Sequence, residues 1–138
     1  MRSLTIGVAM TAFIGIGHAS AAGAAVGERT GVLPLKLGIY VEERSSCGDP
    51  ANAAILKYDG KGISSSNTHG CSARISKRNG KSLTISQTCI DAGAGEGPRI
   101  SEEFKLTAQS GTEFTIAKNT KANTYRFCTP SSLPVGIR

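Results

Sequence analysis

The sequence contains no tryptophan, and its aromatic residues amount to 5% of the chain. Proteins that hold single-stranded nucleic acid by stacking need exposed aromatic platforms, and few are to be had here, so the composition argues against a nucleic-acid partner. Histidine is almost as scarce. Of His18 and His69, the first lies in an N-terminal leader, which leaves one imidazole for any acid–base chemistry. None of the four cysteines forms a C-x-x-C pair, so the usual spacing of a zinc site is missing and no metal or cofactor is expected. No apolar run beyond Gly17 is long enough to span a bilayer as a helix, and no transmembrane anchor is expected.

The N-terminus has its own pattern. Arg2 precedes an apolar run from Leu4 to Gly17, and Ala19-Ser20-Ala21 supplies an A-x-A cleavage site. About 14 apolar residues fall short of the ~20 a membrane span needs, so residues 1–21 read as a secretory signal peptide, with Ala24 as an alternative cleavage point. Residues 22–34 are Gly- and Ala-rich without periodicity and read as a flexible linker. Residues 35–138 read as a single β domain with a short C-terminal tail. All four cysteines follow the leader, and an even count in an exported chain implies two disulfides in an oxidising compartment, the periplasm or beyond. Removing residues 1–21, whose one charged residue is Arg2, leaves 15 basic and 10 acidic residues, a net charge of +5. That excess favours anionic partners such as envelope polymers.

The stretch from Cys71 to Cys89 is the clearest structural signal. Cys71, Ala73 and Ile75 alternate with polar residues, as do Leu83, Ile85 and Cys89, and Asn79-Gly80 sits between the two sets. Period-two alternation around Asn-Gly predicts a β-hairpin. A two-residue turn at Asn79-Gly80 would place the two apolar sets on opposite faces. A three-residue loop, Arg78-Asn79-Gly80, restores agreement and is the expected form. Cys71 and Cys89 then share a face within disulfide reach.

Around this hairpin the chain reads as seven strands. Leu35–Glu43 is the first, with Leu37, Ile39 and Val41 on one face. Residues 53–58 are the second, a short helix after Asp49-Pro50 being the alternative. Lys61–Gly70 reads as a polar loop, Asp91–Arg99 as a Gly-rich connection, and Ile100–Thr107, Glu113–Ala117 and Thr124–Cys128 as the remaining strands. The fold class is therefore all-β, a small antiparallel barrel or sandwich. An up-and-down meander puts Cys47 and Cys128 at one end, which selects Cys71–Cys89 with Cys47–Cys128. The alternative is Cys47–Cys71 with Cys89–Cys128, since spacing alone does not fix connectivity. A bond closing ~80 residues stabilises by roughly 4 kcal/mol in the chain-entropy view.

Catalytic groups are not evident, so the chain reads as non-enzymatic. His69 has hydroxyls nearby, Ser64 to Ser66 among them, but no acid beside it to complete a hydrolase triad. Glu42-Glu43 and Glu102-Glu103 are adjacent pairs that point to opposite faces of a strand, and they read as solvent-facing charge. The glycines around Asp91 and Glu96 lack both a following helix and enough oxygen ligands for calcium. The candidate binding residues are Lys77, Arg78 and Lys81 at the hairpin tip, accompanied by Arg74, and the Ser110-Gly111 turn; Lys118 and Lys121 mark a further basic turn.

Two resemblances follow. The order Tyr40-Val41, Cys47, Asn52-Ala53, Asp59-Gly60, Cys71, Cys89, Tyr125-Arg126-Phe127-Cys128 and Ser131-Ser132-Leu133-Pro134 resembles a family of small exported bacterial proteins with four cysteines, which implies no function. Ser110-Gly111-Thr112-Glu113-Phe114 resembles the Ser-Gly-x-x-Tyr motif of periplasmic inhibitors of chicken-type lysozyme, with Phe114 in place of tyrosine and without the Trp-containing segment expected downstream. That resemblance implies a small disulfide-bonded β-barrel whose Ser110-Gly111 turn enters an enzyme cleft. The expectation is a binding module of the cell envelope, whose partner is an envelope protein or anionic polymer. Inhibition of a lysozyme-like enzyme is the alternative, and a hydrolase using His69 a more distant one.

Overall fold

The computed structural model describes residues 31–137. The expected signal peptide and the linker as far as residue 30 lie outside the described residues. Eight strands follow in chain order: β1 (Gly38–Glu42), β2 (Ile55–Tyr58), β3 (Ile63–Ser65), β4 (Thr68–Asn79), β5 (Ser82–Asp91), β6 (Arg99–Ala108), β7 (Glu113–Lys118) and β8 (Lys121–Cys128). A 3-10 turn at Asn52–Ala54 leads into β2, so residues 53–58 are mostly strand, as the shortness of the run before Asp59-Gly60 suggested against its helix-forming composition. A second 3-10 turn, Pro130–Ser132, follows β8. Among the described residues no helix is long and apolar enough to cross a membrane.

The strands form one antiparallel sheet in the order β3-β2-β1-β8-β7-β6-β5-β4. All neighbours are consecutive in the chain except β1 and β8, which pair from Ile39↔Cys128 to Glu42↔Tyr125. The sheet is thus an up-and-down meander rolled into a nearly closed barrel, its seam lying between β3 and β4. At eight strands, inward side chains just fill a barrel interior. Here Tyr40, Tyr58, Ile85, Phe104, Leu106 and Phe114 do so.

A side chain bridges the seam. Gln87 of β5 is 2% exposed, the one buried polar side chain among the described residues. Its Oε1 accepts from the Ile63 N–H at 2.7 Å and its Nε2 donates to the Ile63 carbonyl at 2.8 Å. The amide stands in for a strand backbone and satisfies both polar groups of Ile63, which would otherwise be buried unpaired. A backbone bond continues the closure, from Ala73 N–H to the Lys61 carbonyl at 2.8 Å.

Several expectations need correction. The segment 61–70 is not simply a loop, for it contains β3 and the start of β4. The first strand begins at Gly38, and its barrel-facing residue is Tyr40, while Leu37 is 41% exposed. Val41 faces outward, yet it is fully buried against Cys128 and Leu133. The last residues are therefore no free tail. They fold back over the outside of the barrel, and Ile39, Cys47, Ile55 and Ile137 complete a second apolar cluster there. Packing also starts earlier than residue 35: Leu33 is buried in the barrel, with its N–H donating to the Tyr58 hydroxyl at 2.7 Å.

The central hairpin reaches the right parity by another route. Asn79 pairs with Ser82, so the loop is the two residues Gly80-Lys81, and Gly80 takes a left-handed φ of 59°. A bulge at Ser76 then shifts the register, so that Ile75 faces Ile85 and the apolar sets share the interior. The correcting residue sits inside the strand rather than in the loop.

Both disulfides of the preferred connectivity are present, Cys71–Cys89 and Cys47–Cys128, and no cysteine is free. The topological reason offered for the second is wrong. Cys128 lies beside Ile39, at the start of β1, and not at the end from which the chain runs on to Cys47. The segment after β1 doubles back along the outer face instead. The Arg126 guanidinium holds it by donating to the Ser45 carbonyl at 2.7 Å.

Candidate functional site

The two ends of the barrel differ chemically. At the lower end lie the β4–β5 tip, the β6–β7 turn and the plug formed by Leu33 and Leu35. At the upper end lie the β7–β8 turn and the start of β6.

At the lower end the structure brings together two features that the sequence presented separately. Arg78 and Lys81 of the hairpin tip and Ser110 and Gly111 of the β6–β7 turn line one depression of about 290 Å³, floored by Leu83 and Ala108. The lining has two cations and no carboxylate. Lys77 is not part of it. Arg78 pairs with Leu83, a core residue, whereas Lys77 pairs with Thr84 on the alternate, outer face. Arg74, paired with Ser86, is exposed on the same outer face. Lys36, at the same end, sets its ammonium 4.4 Å over the Phe127 ring. That ring occupies the space a side chain at residue 38 would need: a Cβ on Gly38, whose φ is +134°, would stand 2.8 Å from it.

The turn is held from below. The Gly111 carbonyl accepts from the Lys36 N–H at 2.7 Å and from the Tyr40 hydroxyl at 2.9 Å. The same hydroxyl lies 2.8 Å from the Lys36 carbonyl and shares its hydrogen between the two. Burial pushes the Tyr40 phenol up to about 12, against a smaller lowering by the Lys36 backbone, so it stays protonated and able to donate. Ser110 is exposed, and its Oγ accepts from the Thr112 N–H at 3.2 Å. Phe114 turns inward and is fully buried, with its ring centroid 4.9 Å from that of Tyr40 and 5.6 Å from that of Tyr125. Of the five-residue motif, then, Ser110 through Thr112 are presented and Phe114 serves the core. Ala108 N–H donates to the Lys81 carbonyl at 3.0 Å and ties the two turns together.

The upper end is where the inward pattern changes from apolar to polar. Along β6 the inward residues run from Phe104 to Glu102, along β7 from Ile116 to Lys118, and along β8 from Tyr125 to Asn123. Glu102 is therefore on the inward face, with 32% of its side chain still exposed. It accepts from Gln87 Nε2 at 3.2 Å and forms an ion pair with Lys118. Lys118 also stands 5.4 Å from the centroid of the Phe104 ring. Burial raises the pKa of the Tyr125 phenol, opposed by a hydrogen bond from Asn123 and assisted by the Glu42 charge. Sequence reasoning missed this polar ring. The available signal was that a charged or amide residue follows the core residues at the same end of three successive strands.

The other candidates stay apart. His69 on β4 pairs with Ile90, no carboxylate bonds to it, and its Nδ1 is buried without a hydrogen-bond partner among the described residues. Between β5 and β6, Asp91 N–H donates to the Pro98 carbonyl at 2.9 Å, so the Gly-rich segment closes as a connection. Among the described residues no cluster of His, Cys, Asp and Glu could hold a metal ion. Comparison of the chain with protein-family models, with curated proteins and with solved structures found no match.

Proposed function

We propose that this is an exported binding protein of the cell envelope, without catalytic activity of its own, that works through the lower end of the barrel. The observation that carries the reading is the meeting of Arg78, Lys81, Ser110 and Gly111 around one depression that has no carboxylate. Two cations beside an exposed turn on a rigid barrel suit a partner that presents carboxylates or another anionic surface, an envelope protein or a polymer. Function on turns held by a packed scaffold is the common arrangement. Two disulfides fit an oxidising compartment, the periplasm or the exterior.

The test is capture from envelope extract with the oxidised protein, compared with Arg78→Ser/Lys81→Ser and with Lys118→Ser/Lys121→Ser at the opposite end. The reading expects partner capture to be lost with the first pair and kept with the second. Capture that survives the first pair removes the lower end.

A second reading, inhibition of a lysozyme-like enzyme, is favoured by the presentation of the Ser110-Gly111 turn beside these cations. Glycosidases act with paired carboxylates in a cleft, which such a turn could enter. Slowed cell-wall lysis by a chicken-type lysozyme, relieved by Ser110→Trp and by Arg78→Ser/Lys81→Ser, supports it. Undiminished lysis in the presence of the unmodified protein excludes it.

A further inference from the structure

We propose a second site at the upper end of the barrel, for a neutral sugar ring. Two depressions, of about 280 and 120 Å³, open there and share Leu56, Ile116 and Lys118. Leu56, Ile116 and the largely buried Tyr125 give the larger one an apolar floor, and Lys121, Asn119 and Asn123 give it a polar rim. Ser65, Thr68, Gln87 and Glu102 line the smaller. Barrel mouths are a recurrent place for small-ligand sites, which combine apolar walls with a few fixed polar groups.

The charges at this end select the class of ligand. Lys118 is neutralised by its ion pair with Glu102, and Glu42, which lies outside both linings, pairs with Tyr125 across β1 and β8 and shares a neighbouring depression with Asn123 of the rim. Such a rim gives little preference to an anion or a cation. It offers ammonium and amide donors together with carboxylate, amide and hydroxyl acceptors, and each hydroxyl of a sugar both donates and accepts. The C–H face of the ring would lie on Ile116 and Leu56.

The polar groups are also set in advance. Gln87 is fixed by both backbone groups of Ile63, Glu102 is fixed by Gln87, and Lys118 is fixed by Glu102. Gln87 is buried, whereas Glu102 and Lys118 keep 32% and 47% of their side chains exposed, so the ion pair is held in place and still open to a ligand. This site is at the opposite end from the lower surface and does not depend on it.

The experiment follows backbone amide shifts of the oxidised mature protein during titration with glucose, N-acetylglucosamine and maltose, and separately with octanoate. The proposal expects at least one sugar to shift the amides of Glu102 and of residues 118–123 while that of Gly111 stays put. Asn123→Ala, an exposed position, and Ile116→Trp, which fills the floor, should each weaken that binding about 10-fold or more, or roughly 1.4 kcal/mol. Lys81→Ser should leave it unchanged. Sugars that leave these amides unmoved at high millimolar concentration overturn the proposal. So does binding of octanoate in their place, or sugar binding unaffected by Asn123→Ala in a protein whose remaining amide spectrum is intact.

Discussion

Replacing Gln87 should open the barrel at its seam. In Gln87→Leu the Ile63 N–H and carbonyl lose the partners they have at 2.7 and 2.8 Å, and both remain buried beneath a side chain of similar size. A buried polar group left unpaired costs about 1–3 kcal/mol, so the pair costs about 2–5 kcal/mol, slightly offset by the added apolar burial. Against a total stability of about 5–15 kcal/mol for a small domain, that is a large fraction. Gln87→Glu separates the hydrogen-bond argument from simple packing. The new carboxylate cannot donate to the Ile63 carbonyl, and it faces Glu102. Its folded pKa must lie above its unfolded value of about 4.3, so the variant's stability is greatest below that pH and falls as pH rises. At neutral pH it should be weaker than Gln87→Leu, and the gap should narrow on acidification. Urea unfolding at several pH values measures both, and native-state hydrogen exchange should report faster exchange at Ile63. A loss under about 0.5 kcal/mol in Gln87→Leu, the size expected of an ordinary surface change, would refute the view that this side chain closes the barrel.

Other perturbations are predicted by the same bonds. Tyr40→Phe keeps the ring in place but removes the hydroxyl from the Gly111 and Lys36 carbonyls; a loss of about 1–2 kcal/mol in denaturant unfolding is expected, with faster amide exchange in the turn. Cys47→Ala/Cys128→Ala opens a loop with a sequence separation of 81 and Cys71→Ala/Cys89→Ala one of 18, so calorimetry should show a greater loss for the first, about 4 against about 3 kcal/mol. Tyr40, Tyr58 and Tyr125 all have phenols raised above 10.0 chiefly by burial, with Tyr40 at about 12. The unfolded chain loses these protons first. Stability should therefore hold below pH 10 and fall between 10 and 12, which phenolate absorbance recorded during unfolding would follow.

The alternation of apolar and polar residues made the long strands legible, and with them the fold class. What it hid has physical causes. β3 is three residues long, and Ile63 takes both of its barrel-closing bonds from a side chain twenty-four residues away, which no local pattern displays. β1 is buried on both faces, because the chain end at Leu133 and Ile137 covers the outer one, so the face of Val41 looked like the interior. The hairpin needed one residue to correct its parity, and the strand supplied it at Ser76 instead of the loop. The disulfide pairing was legible, but the path that joins Cys47 to Cys128 was not. At the candidate site, residue types identified Arg78, Lys81, Ser110 and Gly111, whereas their proximity comes from β5 and β6 lying side by side and carrying both turns to one end. Glu102 and Lys118 belong to turns and strand ends, where charge is ordinary, and only the closure of the barrel shows that they face inward together.

That the lower end of the barrel is the binding surface can be tested most directly by photo-cross-linking in the intact envelope. A photoreactive side chain is placed at Ser110 in one protein and at Lys121 in another, and the adducts are compared. The account predicts a discrete partner adduct from residue 110, lost when Arg78 and Lys81 are changed to serine. No adduct from residue 110, alongside a discrete macromolecular adduct from residue 121, would contradict it and move the working surface to the other end.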